Sequence, residues 1–477
     1  MSGKAGVDRL FVAQAIAVFG ASDRSLLQRT TLENLMLGET ASLFGVNPRR
    51  ESVLGISCVP SAADLAVAPE LAVVMVPDAA VEASVGDALG VGAKTIVLPG
   101  LARGRGQREQ VKRVIALVDE AGATLLGPNC MGVLSPGRAS PWIGTIPEST
   151  RSGPVAVVTQ SGAIGEAVVG LGPRLGLRAV ASVGCPGTLG VGEFCDFFAT
   201  DPDTSAVGLF LETLGDVEET LAAWQRLAAA EKPVVCLKVG ETATAADIAR
   251  EHTSAEVGDW QAFRALAGEA GVICVEDYAE FVETLILLES PARPRGARIG
   301  AVTNSGGEAA LMADQATRAG IPFGELPPAL STGLRDAAPG GLSGCNPLDA
   351  WCVEDVQGTF ERVLDVMGES GAFDLLLAQI DQTPHVGELE RVNYGLLADA
   401  LARACERYAL PGAIISIQAS ELDEQIARTL RPRGIALLQN GASAIRAIAS
   451  VAAWQAARDA RRADVGAGGE PAQPEAS

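Results

Sequence analysis

The sequence predicts an α/β protein whose parallel sheets are covered by helices on both faces. Short runs rich in Val, Ile and Leu recur at Ala15–Phe19, Leu71–Val76, Lys94–Leu98, Pro154–Thr159, Ala206–Leu211, Pro233–Lys238, Arg298–Thr303 and Gly412–Gln418. Each leads through Gly or Pro into an Ala/Leu-rich stretch of helical character, and apolar strands alternating with helices imply parallel sheets buried on both sides. Composition agrees. Of the 477 residues 48% are hydrophobic, yet aromatics make up only 4% and there are 54 glycines, a mixture that lets helices lie close against strands.

Two stretches read as linkers between such units. Arg138–Gly153 (RASPWIGTIPESTRSG) is rich in Pro, Ser and Gly, and Glu289–Gly296 (ESPARPRG) in Pro and charge. They divide the chain into units at 1–145, 150–290 and 297–460, and residues 461–477, which lack apolar periodicity, are expected to be a disordered tail.

A net charge of −21 argues against a nucleic-acid partner, because phosphate backbones call for a basic face. No apolar run is long enough for a membrane span, and MSGKAGVDRL lacks the pattern of a secretory signal. The nine cysteines stand singly without a CxxC pair, and the two histidines, His252 and His385, do not sit near paired Cys. The expectation is a cytoplasmic protein with reduced thiols and no metal site.

The first unit carries a turn suited to an anion. Gly20-Ala21-Ser22 follows the first strand, with Asp23, Arg24 and Ser25 before a helical pattern. A strand entering a Gly turn and a helix start presents free backbone N–H groups and the positive end of the helix dipole. The full GxGxxG fingerprint is absent. The second strand ends in Val46-Asn47-Pro48-Arg49-Arg50, where an NAD site calls for an acid, so a phosphorylated ribose or pyrophosphate suits this Rossmann-like unit better. Val97-Leu98-Pro99-Gly100 and Gly127-Pro128-Asn129-Cys130 follow later strands and belong to the same rim.

The second and third units open alike, with VAVVTQSGAIGEAVV from Val155 and IGAVTNSGGEAALMA from Ile299. Each reads strand, Thr-[Gln/Asn]-Ser-Gly, helix. Either Ser simply caps the helix, or the two turns bind anions. His252 lies in a long stretch of small residues from Gly240 to Gly258, read as a loop; Glu212 ends the strand Leu209-Phe210-Leu211. A solvated histidine and a solvated strand-end carboxylate are the plain alternatives to a functional pair.

Taken in order, these residues resemble the NDP-forming acyl-CoA synthetases, the superfamily that includes succinyl-CoA synthetase and ADP-forming acetyl-CoA synthetase. The carriers are Gly20-Ala21-Ser22, Val46-Asn47-Pro48, Gly127-Pro128-Asn129-Cys130, GPVAVVTQSG from Gly153, Asp201-Pro202-Asp203-Thr204, Phe210-Leu211-Glu212, KPVVCLK from Lys232, His252-Thr253, VTNSGG from Val302 and Asn346-Pro347-Leu348-Asp349. The resemblance implies an N-terminal Rossmann-like CoA-binding domain followed by two flavodoxin-like, succinyl-CoA synthetase-like domains. It implies that Gly20, Ser22, Arg24, Ser25, Arg49, Arg50, Leu98 and Pro99 hold CoA, and that Asn129 and Cys130 lie near its thiol. It further implies that His252 is phosphorylated, that Glu212 orients it, and that Ser161, Gly162, Ser305, Gly306 and Gly307 hold the phosphoryl group. The implied protein is the α-type subunit of an acid–CoA ligase. It would act on a carboxylic acid or acyl-CoA in a hetero-oligomer with an ATP-grasp β subunit that brings ATP or ADP and Mg²⁺. Two positions depart from the pattern: Ser254 stands where Gly is usual, and Gly184-Cys185-Pro186-Gly187 replaces a Gly-Asn start. A catalytically silent CoA- or acyl-CoA-binding regulator and an NAD(P)-binding protein are the competing readings.

Overall fold

Every residue of Ala15–Phe19, Ala206–Leu211 and Ile299–Thr303 is buried, as strands inside helix-covered parallel sheets must be. The computed structural model describes residues 2–38, 41–100, 105–184, 187–253, 258–291, 293–339, 345–352 and 354–467. Among the described residues three sheets are formed.

The first consists of β1 (Ala15–Phe19), β2 (Ser42–Val46), β3 (Ser52–Val53), β4 (Ile56–Val59), β5 (Leu71–Val74), β6 (Thr95–Val97) and β7 (Thr124–Leu126), in the order β3-β4-β2-β1-β5-β6-β7. Only the β3–β4 pair is antiparallel. The second consists of β8 (Gly132–Leu134), β9 (Arg151–Thr159), β10 (Gly176–Ser182), β11 (Ala206–Leu211), β12 (Val234–Lys238) and β13 (Ile273–Cys274), in the order β13-β12-β11-β9-β10-β8, with β8 antiparallel at its edge. The third is wholly parallel: β14 (Ile299–Thr303), β15 (Leu348–Asp349), β16 (Leu375–Gln379), β17 (Gly412–Ile415) and β18 (Ile435–Leu438), in the order β15-β14-β16-β17-β18. Leaving out β8, the second and third sheets share one winding: the first strand leads outward to a neighbour, then the chain returns to its other side. This flavodoxin-like order makes a crevice at the carboxyl end of the first strand.

Helices α1 (Ser2–Val12), α2 (Leu26–Leu35), α3 (Val81–Gly90) and α4 (Arg105–Glu120) belong to the first sheet. The second sheet carries α5 (Gly162–Val169), α6 (Val191–Thr200), α7 (Val217–Ala229), α8 (Ala243–Thr253) and α9 (Trp260–Glu269). Around the third lie α10 (Tyr278–Glu289), α11 (Gly306–Arg318), α12 (Pro328–Ala337), α13 (Val356–Glu369), α14 (Glu388–Tyr408), α15 (Glu424–Leu430) and α16 (Gly441–Ala467).

The chain divides into two compact units, residues 1–274 and 275–477. The first two sheets share one unit. Helix α1 packs against β7 and α6, and Gly6 makes this approach possible, since a Cβ there would sit 2.4 Å from Thr124 Oγ1. Phe11 then stacks on Phe197 at 5.1 Å between ring centres. By contact, α10 groups with the second unit. Helix α10 is buried along nearly its whole length from Glu280 to Leu288, and Glu283 Oε2 accepts the backbone N–H of Gln439 at 2.9 Å within the second unit.

Three expectations change. Arg138–Gly153 is a packed segment as much as a linker: Trp142 is fully buried, and Asn34 Nδ2 donates to the carbonyls of Trp142 and Gly144 at 2.7 and 2.8 Å. The small-residue loop after Gly240 contains α8, because Ala, Arg and Glu favour helix even without an apolar stripe. Residues 461–467 continue α16 for the same reason, and 468–477 lie outside the described residues. Among the described residues no helix is long and apolar enough to cross a membrane.

Asp201, from the Asp-Pro-Asp-Thr motif, has a structural task at the amino ends of the second sheet's strands. Arg178 Nε and Nη2 donate to its Oδ2 and Oδ1 at 2.9 and 3.3 Å, with side chains 11% and 6% exposed. Thr204 Oγ1 donates to Oδ2 at 2.5 Å, and Lys232 Nζ donates to the Asp201 carbonyl at 2.6 Å. The Arg178 guanidinium also lies 5.3 Å from the Phe11 ring centre. Removing one partner of a buried pair strands the other charge. Asp201→Ala should therefore cost about 3–5 kcal/mol in urea unfolding, and a loss below about 1 kcal/mol would show that the network is not stabilising in this way.

Candidate functional site

The carboxyl ends of the first sheet's strands enclose a cleft of about 680 Å³ lined by Gly20, Ser22, Arg24, Asn47, Arg49 and Arg50, among others. Its geometry follows from the turn after β1. Gly20 has φ +81°, and a Cβ there would lie 2.6 Å from the Met75 carbonyl oxygen, so only glycine fits without strain. Gln28 Nε2 ties the turn down by donating to the carbonyls of Gly20 and Met75 at 2.9 and 2.8 Å. Asn47 closes the other wall: its Nδ2 donates to the Ala21 carbonyl at 2.8 Å and its Oδ1 accepts the Arg49 N–H at 2.8 Å. Arg50 reaches Asp23 at 3.3 Å.

Five of the expected cofactor-binding residues, Gly20, Ser22, Arg24, Arg49 and Arg50, thus meet in one cleft. Ser25 sits at the N-cap of α2 without a side-chain capping bond. Leu98 is fully buried among the core residues of the first sheet, so its side chain is a packing element, and any ligand contact there falls to Pro99, which is partly exposed. Asn129 adopts φ +57° in the turn after β7, and its N–H donates to the Gly100 carbonyl at 3.1 Å. The Cys130 thiol turns inward, toward the carbonyls of Leu98 and Leu126 at 3.6 and 3.8 Å. Backbone, more than that sulfur, faces the rim. Gln28 and Ser61 join the cleft without having been expected, because neither stands in a recognisable spacing.

In the second sheet the Thr-Gln-Ser-Gly turn is stitched by its own side chains. Thr159 Oγ1 accepts the Ser161 N–H at 3.0 Å and donates to the Ser161 carbonyl at 2.9 Å. The Ser161 hydroxyl makes no capping bond, so capping does not account for the serine. The first N–H groups of α5, beginning at Gly162, point out of the helix start with about half a positive charge behind them. Gln160 reaches across to the next strand: its Oε1 accepts the N–H groups of Glu212 and Thr213 at 2.7 and 2.9 Å, and its Nε2 donates to the Thr213 carbonyl at 3.0 Å. Glu212 is thereby fixed through its backbone, 6% exposed, at the end of the strand neighbouring the one that leads into the Ser161–Gly162 turn.

His252 occupies the last turn of α8. Its side chain lies outside the described residues, as do Ser254, Cys185 and Pro186. Among the described residues no group of three or more His, Cys, Asp or Glu is arranged to hold a metal ion.

The third sheet repeats the stitched turn and then departs from it. Thr303 Oγ1 accepts the Ser305 N–H at 3.1 Å, and Ser305, at the N-cap of α11, makes no side-chain capping bond. Asp381 is the register counterpart of Glu212, since Thr159 pairs with Phe210 and Val302 with Ala378 in equivalent ladders. The helix start after Gly306 and Gly307, however, carries a carboxyl of its own. Thr303 Oγ1 donates to Glu308 Oε2 at 2.6 Å. Burial holds the Glu308 carboxyl above the usual carboxylate range despite that hydrogen bond, and the charges of Asp381 and Asp349 raise it further. Tyr394 is raised as well, by burial first and then by Asp381, Glu308 and Glu390. The second turn is therefore a less welcoming anion site than the first.

Comparison with known proteins agrees with this layout. Residues 14–136 match the family model of the CoA binding domain, and residues 152–288 that of the succinyl-CoA ligase like flavodoxin domain. The acetate–CoA ligase [ADP-forming] I of Archaeoglobus fulgidus is 25% identical over 449 residues, covering 93% of this chain and 63% of that protein. Subunit alpha of the acetate–CoA ligase [ADP-forming] II of Pyrococcus furiosus is 26% identical over 380 residues, covering 78% of this chain and 82% of that subunit. The chain thus spans less than two thirds of the Archaeoglobus protein. Among solved structures, the dinucleotide forming acetyl-coenzyme A synthetase 1 of Ca. Korarchaeum cryptofilum, in complex with phosphate and ADP, superposes with a TM-score of 0.82 at 24% identity over 96% of this chain and 99% of that one, a likeness of fold.

The state of Glu308 is open to direct test. A carboxyl whose folded-state pKa is raised binds its proton more tightly in the native protein than in the unfolded chain. Its contribution is complete below the ordinary glutamate range and is lost as pH rises through the folded value. Glu308→Gln cannot ionise, so at pH 7 it should melt on the order of 1–3 °C above the parent protein, with the gain fading as pH is lowered toward 4. A gain that does not change with pH would assign the effect to shape and leave the acid cluster of Asp349, Asp381, Glu390 and Tyr394 without influence.

Proposed function

We propose that this chain, a member of the NDP-forming acyl-CoA synthetase superfamily, works as the α-type part of an acid–CoA ligase that relays a phosphoryl group through His252. The observation that carries the reading is the Gln160 amide, which holds Glu212 at the edge of the Ser161–Gly162 turn. A buried carboxylate beside an open helix start suits a histidine that must alternate between neutral and phosphorylated forms.

In this reading residues 1–145 hold CoA, with Ser22, Arg24, Arg49 and Arg50 on its phosphates, and Pro99 and the Asn129–Cys130 backbone toward its thiol end. An oxygen of inorganic phosphate attacks the thioester carbon; the carbon–sulfur bond breaks and the CoA thiolate leaves, taking up a proton. Neutral His252 Nε2 then attacks the phosphorus of the acyl phosphate, and the carboxylate departs. Glu212 accepts the Nδ1–H, which keeps Nε2 free for attack and offsets the positive ring that follows. The N–H groups after Ser161 meet the phosphoryl oxygens. Ser305, Gly306 and Gly307 offer a second set of backbone donors for the handover to a nucleoside diphosphate, with the smaller share because Glu308 stands among them. The nucleotide and its Mg²⁺ belong to an ATP-grasp partner, a reading supported by the subunit name of the Pyrococcus relative.

Two measurements test this. Incubated with acyl-CoA and radiolabelled phosphate, the protein should acquire an acid-labile, alkali-stable label that His252→Ala lacks and that Glu212→Gln acquires about 10²-fold or more slowly. Label retained in His252→Ala would end the relay. Replacing Arg49 and Arg50 together by Ala should weaken CoA binding by calorimetry on the order of tenfold or more, since each guanidinium–phosphate contact is a charge-assisted bond; an unchanged affinity would move CoA out of the cleft.

A further inference from the structure

The proposed reaction joins two places that the fold builds separately, and one side chain spans the gap between them. The thioester must be presented by the turn that ends in Cys130, while the attacking phosphate sits at the start of α5. The acyl group therefore has to lie between the two. Met131 directly follows Cys130. Its N–H donates to Ser182 Oγ at 3.2 Å, at the carboxyl end of the strand next to β9, and its carbonyl accepts the Ile143 N–H at 2.9 Å. The backbone is thus fixed on both sides, and the side chain runs over the first residue of α5.

Two glycines make room for it. A Cβ at Gly162 would sit 3.0 Å from Met131 Cγ and 3.4 Å from Sδ. A Cβ at Gly144 would sit 2.8 Å from Trp142 Nε1, 3.0 Å from Met131 Cε and 3.2 Å from Glu166 Oε1, so a carboxylate borders the far end of the thioether. The thioether arm is laid from the helix start to the fully buried Trp142, whose indole N–H has no hydrogen-bond partner among the described residues. Met131 itself is only partly buried. A flexible, polarisable thioether is well suited to closing such a gap against an apolar guest.

We propose that Met131 sets the size of the acid this protein accepts, by forming the apolar wall of the acyl site between the CoA-thiol turn and the phosphate-binding helix start. The proposal rests on the CoA and phosphate assignments above. It assigns the substrate class as an acid with a compact apolar tail; a second carboxylate on the acid would face the thioether, the indole edge and the like charge of Glu166.

The test is calorimetric binding of CoA, acetyl-CoA, isobutyryl-CoA and phenylacetyl-CoA to the full chain and to Met131→Ala, Met131→Phe and Met131→Leu. Each acyl-CoA affinity is expressed relative to that of CoA in the same variant, which separates the acyl site from any general loss of binding. Met131→Ala should shift the phenylacetyl-to-acetyl preference toward the larger group on the order of tenfold, the scale of methylene-sized changes in an apolar pocket. Met131→Phe should shift it the opposite way, and Met131→Leu should leave it within about threefold. If all three variants keep the parent's preference while CoA binds normally, Met131 is not the wall and the inference is overturned. If CoA itself does not bind the parent protein, the assignment of the first unit falls, and this proposal with it.

Discussion

A single carboxamide organises the second sheet's rim. Gln160 follows β9, yet three of its hydrogen bonds go to the segment that follows β11, so two strand ends that the chain reaches some fifty residues apart are locked together at the crevice. Parallel strands leave their terminal N–H and C=O groups pointing at whatever lies beyond the sheet, and buried groups of that kind must find partners. Here the partner is a side chain, and it fixes the backbone from which Glu212 projects. The same amide therefore satisfies three backbone groups at once.

The residues that mark the family pattern divide by which end of the strands they occupy. Asp201 and Lys232 tie loops together at the amino ends, with Lys232 Nζ donating to the Phe198 carbonyl at 2.7 Å. Asn346 works similarly in the other unit: its Oδ1 accepts the Ala301 N–H at 2.9 Å and its Nδ2 donates to the Ile299 carbonyl at 2.6 Å, standing in for a strand along the edge of β14. Those positions hold the scaffold. The Gly20 turn, the arginines at 49 and 50, and the two stitched Thr-x-Ser turns occupy the carboxyl ends, where open α/β sheets bind ligands.

Much of this was legible in the sequence because strand runs, Gly turns and the repeated Thr-[Gln/Asn]-Ser-Gly device are local signals. Ala15–Phe19 and Ala206–Leu211 are strands with the expected limits, and the arginines at 49 and 50 line the same cleft as Gly20. Contacts between distant segments were not legible. Glu308 reads as an ordinary first-turn acid until Asp349 and Asp381, forty and more positions away, are brought beside it. Helix α8 escaped notice because it has no apolar stripe, with Ile248 64% exposed. Leu98 and Cys130 stand in rim motifs, but strand and turn geometry points their side chains inward, a detail that residue type does not carry.

Helix α1 has a consequence for how the protein is made. Its aromatic anchor, Phe11, stacks on Phe197 and lies under Arg178. On the ribosome Phe11 precedes that partner by roughly 190 residues, so at ~5–20 residues per second the ring waits about ten to forty seconds for its stacking partner, although β7, the helix's other neighbour, is made earlier. During that interval the face of α1 that meets α6 has no partner. The order of synthesis thus leaves this one contact to close late, after every strand of the first sheet has been made.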